Sequence, residues 1–326
     1  MTGSPAGPAA PASLFERVLS PEVFEAGWAR VRDNHGSAGV DGVTIGDFGD
    51  GLRFNLDLLR REIREARYRP LPLHRILVDK GNGEPRALSI PAVRDRVCQA
   101  AVLEVVGPIV ERELETCSFA YRPGRSVRDA VRLVREYRDH GYRWVVDADV
   151  DSFFDTLDHD RLLARVESLL KDARLLRLIS QWVSAEVWDG ESVTRLQHGI
   201  PQGSVVSPML ANLFLDELDE ALLGKGLKVV RFADDFLILC RERAAAVDAL
   251  ELSEEILEGM GLALNDEKTA VTSFDDGFKY LGVVFLRTLI MKPFETCMKV
   301  RRILYCPPPL DLAAYRAGRL SRGVAR

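Results

Sequence analysis

Apolar Leu58, Leu59, Ile63 and Ala66 recur at helical spacing over residues 56–67, with arginines between them, which predicts an amphipathic helix with a basic side. Residues 74–78, a Lys80-Gly81-Asn82-Gly83 turn and a second run through Leu88 and Ile90 predict a β-hairpin. Residues 93–114 are apolar at helical period with a break expected at Gly107-Pro108, and residues 127–140 form a further helix that stops before Gly141. The period then shortens. Trp144-Val145-Val146-Asp147-Ala148-Asp149-Val150 reads as a buried strand carrying acids at one end, and residues 159–170 return to a helix. Residues 229–240 are apolar on both sides of Ala233-Asp234-Asp235, which predicts a hairpin with acids at its turn, and residues 278–285 add one more strand. Residues 2–13 hold only small residues and proline with nothing to pack, so a disordered tail is expected there. The class is α/β or α+β with a mainly antiparallel sheet.

Composition narrows the chemistry. The five cysteines are scattered, and neither they nor the five histidines form a ligand cluster, so a metal must sit on carboxylates. His159 beside Asp158 reads as a helix-start residue. No apolar run reaches the roughly 18 residues of a membrane span and the N-terminus has no signal-peptide pattern, so a cytoplasmic protein without a membrane partner is expected. The net charge of −5 counts against nucleic acid, but its distribution does not. Ten cations from Arg60 to Arg96, among them Arg75, Lys80 and Arg86, crowd one stretch, and the last residues are basic again. Asp149, Asp234 and Asp235 arrive from separate segments at what could be one place. Crowded carboxylates repel one another and lose hydration, so a divalent cation best explains such a cluster, and oxygen-only ligands suit Mg²⁺. An Asp pair in a turn is by itself ordinary turn chemistry. Residues 199–208 likewise read as a loop capped by Ser207, entering a helix with Pro208 at its first position.

Phe232-Ala233-Asp234-Asp235 resembles the signature tetrad of the reverse transcriptases, whose first position is more often Tyr. Asp149-Val150-Asp151-Ser152-Phe153-Phe154-Asp155 with Leu157-Asp158-His159 resembles their first catalytic motif as the group II intron enzymes write it. Gly199-Ile200-Pro201-Gln202-Gly203-Ser204-Val205-Val206-Ser207-Pro208 matches those enzymes as well. Ser37 to Val43, the hairpin with Arg94-Asp95-Arg96, Ser118 to Ser126, Gly261 to Thr269 and Phe278 to Gly282 extend the resemblance over residues 37–285 in the family's order.

The resemblance implies an α+β right-hand polymerase fold with fingers and palm, a mainly antiparallel palm sheet and an abbreviated thumb. It divides the chain into a tail (1–13), an N-terminal element with fingers (14–143), a palm (144–285) and a short basic extension or truncated thumb (286–326), read as a Pro-rich linker leading to a contact surface. It implies RNA-directed DNA polymerase activity with two Mg²⁺ ions, Mn²⁺ substituting, held at Asp149, Val150, Asp234 and Asp235. Lys80, Arg86 and, more weakly, Arg75 would meet the triphosphate, Gln202 and Gly203 the nucleotide, and Phe154 its sugar, with Lys268 assisting the departing pyrophosphate. Partners would be an RNA template, a DNA or RNA primer, dNTPs and a protein such as a CRISPR integrase or another thumb-supplying subunit. An RNA-binding maturase and a template-independent or protein-primed polymerase of phage defence are the alternatives.

Overall fold

The computed structural model describes residues 13–79, 85–291, 303–318 and 322–324. The tail expected at 1–13 lies outside the described residues except for Ser13, whose Oγ accepts from Glu16 N–H and starts the first helix. Short polar side chains set the following starts too, with Ser20 and Thr44 accepting from Val23 and Asp47 N–H. The helices are α1 (Leu14–Val18), α2 (Pro21–Asp33), α3 (Ile45–Asp50) and α4 (Leu52–Arg64), followed by β1 (Leu73–Asp79), β2 (Pro85–Ile90) and α5 (Val93–Glu113). α5 runs unbroken through Pro108, against expectation. Val105, Val106 and Val110 are buried on either side of the proline, and that packing holds the two turns in line despite the lost hydrogen bond.

The chain continues through α6 (Val127–Asp139), β3 (Trp144–Asp149), α7 (Phe153–Thr156), α8 (His159–Leu170), α9 (Ala173–Val183), β4 (Glu186–Trp188), β5 (Val193–Arg195), α10 (Ser207–Gly224), β6 (Lys228–Phe232), β7 (Asp235–Cys240), α11 (Arg243–Gly259) and β8 (Ala270–Ser273). Four of these strands form one antiparallel sheet in the order β6-β7-β3-β8. Successive side chains of a strand point to opposite faces. Val146, Ala148, Phe236 and Ile238 therefore join the core that includes α10 and α11, while Val145, Leu237 and Leu239 pack with Ala130 and Val134 of α6. Burial on both faces explains why these strands read as almost continuous apolar runs. The architecture is the expected α+β right-hand polymerase fold, with this sheet as the palm.

Residues 278–285 form a hairpin and not the single strand expected. β9 (Phe278–Tyr280) and β10 (Val283–Leu286) pair across Leu281 and Gly282, both in the left-handed region, and β11 (Leu289–Met291) extends this small sheet. A leucine in the first turn position hides a turn that asparagine would have announced.

The C-terminal stretch is a strap and not a linker. After β12 (Ile303–Tyr305), which pairs with β1, it runs through α12 (Leu312–Arg316) to β13 (Arg322–Val324), which pairs with β5. Prolines cannot donate, so their carbonyls are all the backbone can offer. The Pro307 carbonyl meets His74 Nε2 at 2.8 Å, and the Pro308 carbonyl accepts from Trp188 Nε1 at 2.9 Å. Leu310 is 5% exposed and its N–H donates to the Val40 carbonyl, while Tyr315 bonds Glu186. The strap thus closes a six-stranded fingers sheet that includes the β1/β2 hairpin, the short strands β4 and β5, and its own β12 and β13. No described helix is long and apolar enough to cross a membrane.

Candidate active site

β3 ends on Asp149, which stands directly across from Asp235 of β7, and Asp147 lies two residues back on the same face. The β6/β7 loop has only two residues, Ala233 and Asp234, because Phe232 pairs with Asp235. Such a loop needs a left-handed residue to follow the twist of the strands, and Ala233 supplies it with φ 64°. Val150 N–H then donates to the Asp234 carbonyl at 3.2 Å, which ties the two acidic segments together.

The electrostatics of this cluster are unfavourable as it stands. Burial, reinforced by Asp147, Asp149 and Asp234, pushes the Asp235 carboxyl up to about 8. Burial and Asp149 push Asp147 up to about 6, and burial raises Asp234, with Arg86 and Lys268 opposing. Lys268 Nζ donates to Asp149 Oδ2 at 2.6 Å, and that bond holds its ammonium more firmly protonated. One largely exposed ammonium is little compensation for four carboxyls. Oxygen ligands short of positive charge fit hard divalent cations. The Val150 carbonyl fits as a further ligand, since it accepts no hydrogen bond among the described residues. Among the described residues no three His, Cys, Asp or Glu side chains stand close enough together to hold an ion.

The cluster opens into a cleft of about 1390 Å³ between palm and fingers. Asp149, Val150, Asp234 and Lys268 line it, together with Arg86 of β2, Phe154 of α7, and Gln202 and Gly203 of the loop before α10. Asp235 does not line it and sits in the sheet beside Asp147 and Asp149. Arg75 does not line it either. Its charge acts on Asp155 and Asp189, and its Nε is buried without a hydrogen-bond partner. Lys80 lies outside the described residues. Tyr121, 60% exposed with φ 60°, lines the same cleft and was not singled out in the sequence.

The loop over residues 199–205 is strung between two bodies. On the palm side Gly199 N–H and Ile200 N–H donate to the Leu157 and Phe154 carbonyls, each at 2.7 Å. A side chain at Gly199 would stand 2.4 Å from the Phe154 carbonyl oxygen, and its φ of 75° excludes most other residues in any case. His159 is the first residue of α8, as expected, after the cap Asp158, which accepts from Arg161 N–H; its Nε2 lies 2.6 Å from the Gly199 carbonyl, so it also anchors the loop. Ser207 is the first residue of α10 and caps nothing, since Val206 holds the cap position.

The acidic turn is held from inside the fold. Arg231 is fully buried and donates to both carboxylate oxygens of Asp219, itself fully buried on α10. Its Nη1 reaches the Asn212 side chain at 3.0 Å and the Ala233 carbonyl at 2.9 Å. An arginine inside the apolar run Val229-Val230-Arg231-Phe232 was the available signal, but its partner is brought to it only by the packing of α10 on β6.

A family model described as reverse transcriptase (RNA-dependent DNA polymerase) matches residues 78–285, which takes in both acidic segments and the loop between them. The chain is a reverse transcriptase. This reverse transcriptase is 35% identical over 288 residues to Protein YkfC of Escherichia coli (strain K12), with 76% of each chain covered. It is 30% identical over 221 residues to the group II intron-encoded protein LtrA of Lactococcus lactis subsp. cremoris, covering 67% of this chain but 36% of LtrA. Among solved structures, telomerase from Candida albicans is similar in fold, with a TM-score of 0.56, 16% identity and coverage of 72% of this chain and 49% of that one.

Proposed function

We propose that this enzyme extends a DNA or RNA primer with dNTPs on an RNA template, using Asp149, Asp234, Asp235 and the Val150 carbonyl to hold two Mg²⁺ ions. The observation that carries the reading is the group of half-buried, mutually repelling carboxylates at the edge of a cleft that also presents a fingers arginine. Bound there, divalent cations supply Lewis acidity for ionising a primer hydroxyl and neutralising the leaving pyrophosphate. Arg86 meets the triphosphate from β2, with Lys80 as the further cation of the fingers hairpin; Arg75, which does not line the cleft, is left out of this role. Gln202 and Gly203 border the nucleotide. Lys268 adds positive charge near Asp149. Phe154, stacked edge-on against Phe153 with ring centroids 5.3 Å apart, presents a fixed surface to the sugar. We propose further that a protein partner, such as a CRISPR integrase or another thumb-supplying subunit, completes the grip on the duplex.

Primer extension on an RNA template with Mg²⁺ or Mn²⁺ tests this reading. Extension with dNTPs is expected to exceed that with rNTPs by about 100-fold or more in kcat/KM, and Phe154→Val should cut that ratio by about tenfold. Absence of extension with either ion would leave the chain an RNA-binding maturase or a polymerase primed in another way. An unchanged sugar ratio would make Phe154 a packing residue.

A further inference from the structure

α5 carries one polar side chain in a run of apolar ones. Gln99 is 2% exposed, between Cys98, Ala100, Ala101 and Val102, which are equally buried. A buried amide costs free energy unless it is hydrogen-bonded. Both bonds its oxygen makes go to the loop beside the cleft, since Gln99 Oε1 accepts from Ser204 Oγ–H and from Val205 N–H, each at 3.0 Å. The same loop is tied to the fingers a second time. Ser89 N–H of β2 donates to the Gln202 carbonyl at 2.7 Å, and Gly203, with φ 112°, lies so close to β2 that a side chain there would meet the Ser89 carbonyl oxygen at 3.0 Å. Residues 202–205 are thus clamped to β2 and α5 while residues 199 and 200 are clamped to the palm.

We propose that Gln99 is a positioning residue for the incoming nucleotide, its amide oxygen fixing the place at which Gln202 and Gly203 face the cleft. This rests on the reading that those two residues border the nucleotide. Gln99 does not line the cleft and acts only through the loop. Removing its oxygen frees two donors at residues 204 and 205 and leaves the loop held on the fingers side by the Ser89 bond alone. The carboxylates are untouched. The loss should therefore fall on nucleotide affinity and not on the chemical step or on template binding.

Single-nucleotide addition by the full chain, at saturating primer and RNA template, separates these effects. Gln99→Leu is expected to raise the KM for dNTP by about tenfold, with kcat within about threefold of the parent and the template Kd unchanged. Ser204→Ala removes one of the two donors without disturbing α5, and should raise KM by about threefold. Because both variants cut the same bond, the double variant should be no worse than Gln99→Leu alone. Cys98→Ala is the control. It loses packing in the same helix beside Tyr68 and Asp95, away from the loop, and should leave KM unchanged. A KM raised equally by Cys98→Ala and Gln99→Leu overturns the proposal in favour of a general softening of α5. An unchanged KM in Gln99→Leu and Ser204→Ala, with a raised one in Gln202→Ala, also overturns it and leaves the nucleotide reading of Gln202 standing. If Gln202→Ala has no effect on KM either, that reading falls and the proposal falls with it.

Discussion

Asp149→Asn is expected to lower nucleotide addition by about 10³-fold or more, equivalent to about 4 kcal/mol of transition-state stabilisation, while the metal-free fold becomes no less stable. Asparagine has the shape of aspartate without its charge. It removes one of the anions that raise Asp147 and Asp235, and the bond it sacrifices is to a largely exposed lysine. The same should hold for Asp234→Asn combined with Asp235→Asn. The pH dependence of the parent follows from the same crowding. Folded Asp235 keeps its proton up to about 8, whereas the unfolded residue loses it in the ordinary carboxylate range. Its contribution is therefore fully present below that range and is lost as pH rises through about 8, so the metal-free parent should weaken over this window. Mg²⁺ binding to the folded state should reverse the loss and raise Tm, and in Asp149→Asn that rise should be much smaller. Thermal unfolding with and without Mg²⁺, alongside single-nucleotide addition, checks both halves. Activity in Asp149→Asn, or an equal Mg²⁺-dependent rise in both proteins, would remove these carboxylates from the metal site.

The other large effect is expected at Arg231. Replacing it with methionine strands the Asp219 carboxylate in the interior and strips a donor from the Ala233 carbonyl, at a cost of about 3–5 kcal/mol in stability. Combining Arg231→Met with Asp219→Leu removes both charges and should recover most of that stability, because a buried ion pair contributes little over a well-packed apolar pair. Activity should not recover with it. The left-handed turn at Ala233 would still lack the hydrogen bond that holds Asp234 in place. Urea unfolding and nucleotide addition on the three proteins decide the matter. A double variant that regains both would make the pair a packing feature with no hold on the turn.

The sequence was most informative where chemistry is local. The acids at the end of β3 and at the β6/β7 turn, the hairpin bearing Arg86, and the loop with Gln202 each lie within one contiguous stretch whose pattern is visible in the chain. What it could not reveal depends on contacts between distant stretches. Asp234 and Asp235 look equivalent as neighbours, yet one sits in the turn and lines the cleft while the other begins the strand and does not. Gln99 and Arg231 look like stray polar residues in apolar runs until α5 and α10 are packed. β4 and β5 are three residues each, too short for an alternating pattern, and owe their existence to β1 on one side and the strap on the other.

The strap also sets an order of events when the chain is made. His74 and Pro307 meet across 233 positions of sequence, so the edge of β1 that β12 covers has nothing to pair with until residues 303–305 have emerged. At ordinary rates of synthesis that wait is roughly 10 to 50 s, far longer than the hairpin with β2 needs to form. An uncovered strand edge accepts any strand of suitable length, including β12 of another copy. Exchange of straps between nascent chains is therefore the misassembly to which this fold is most open, and crowded translation of one message is the setting that favours it.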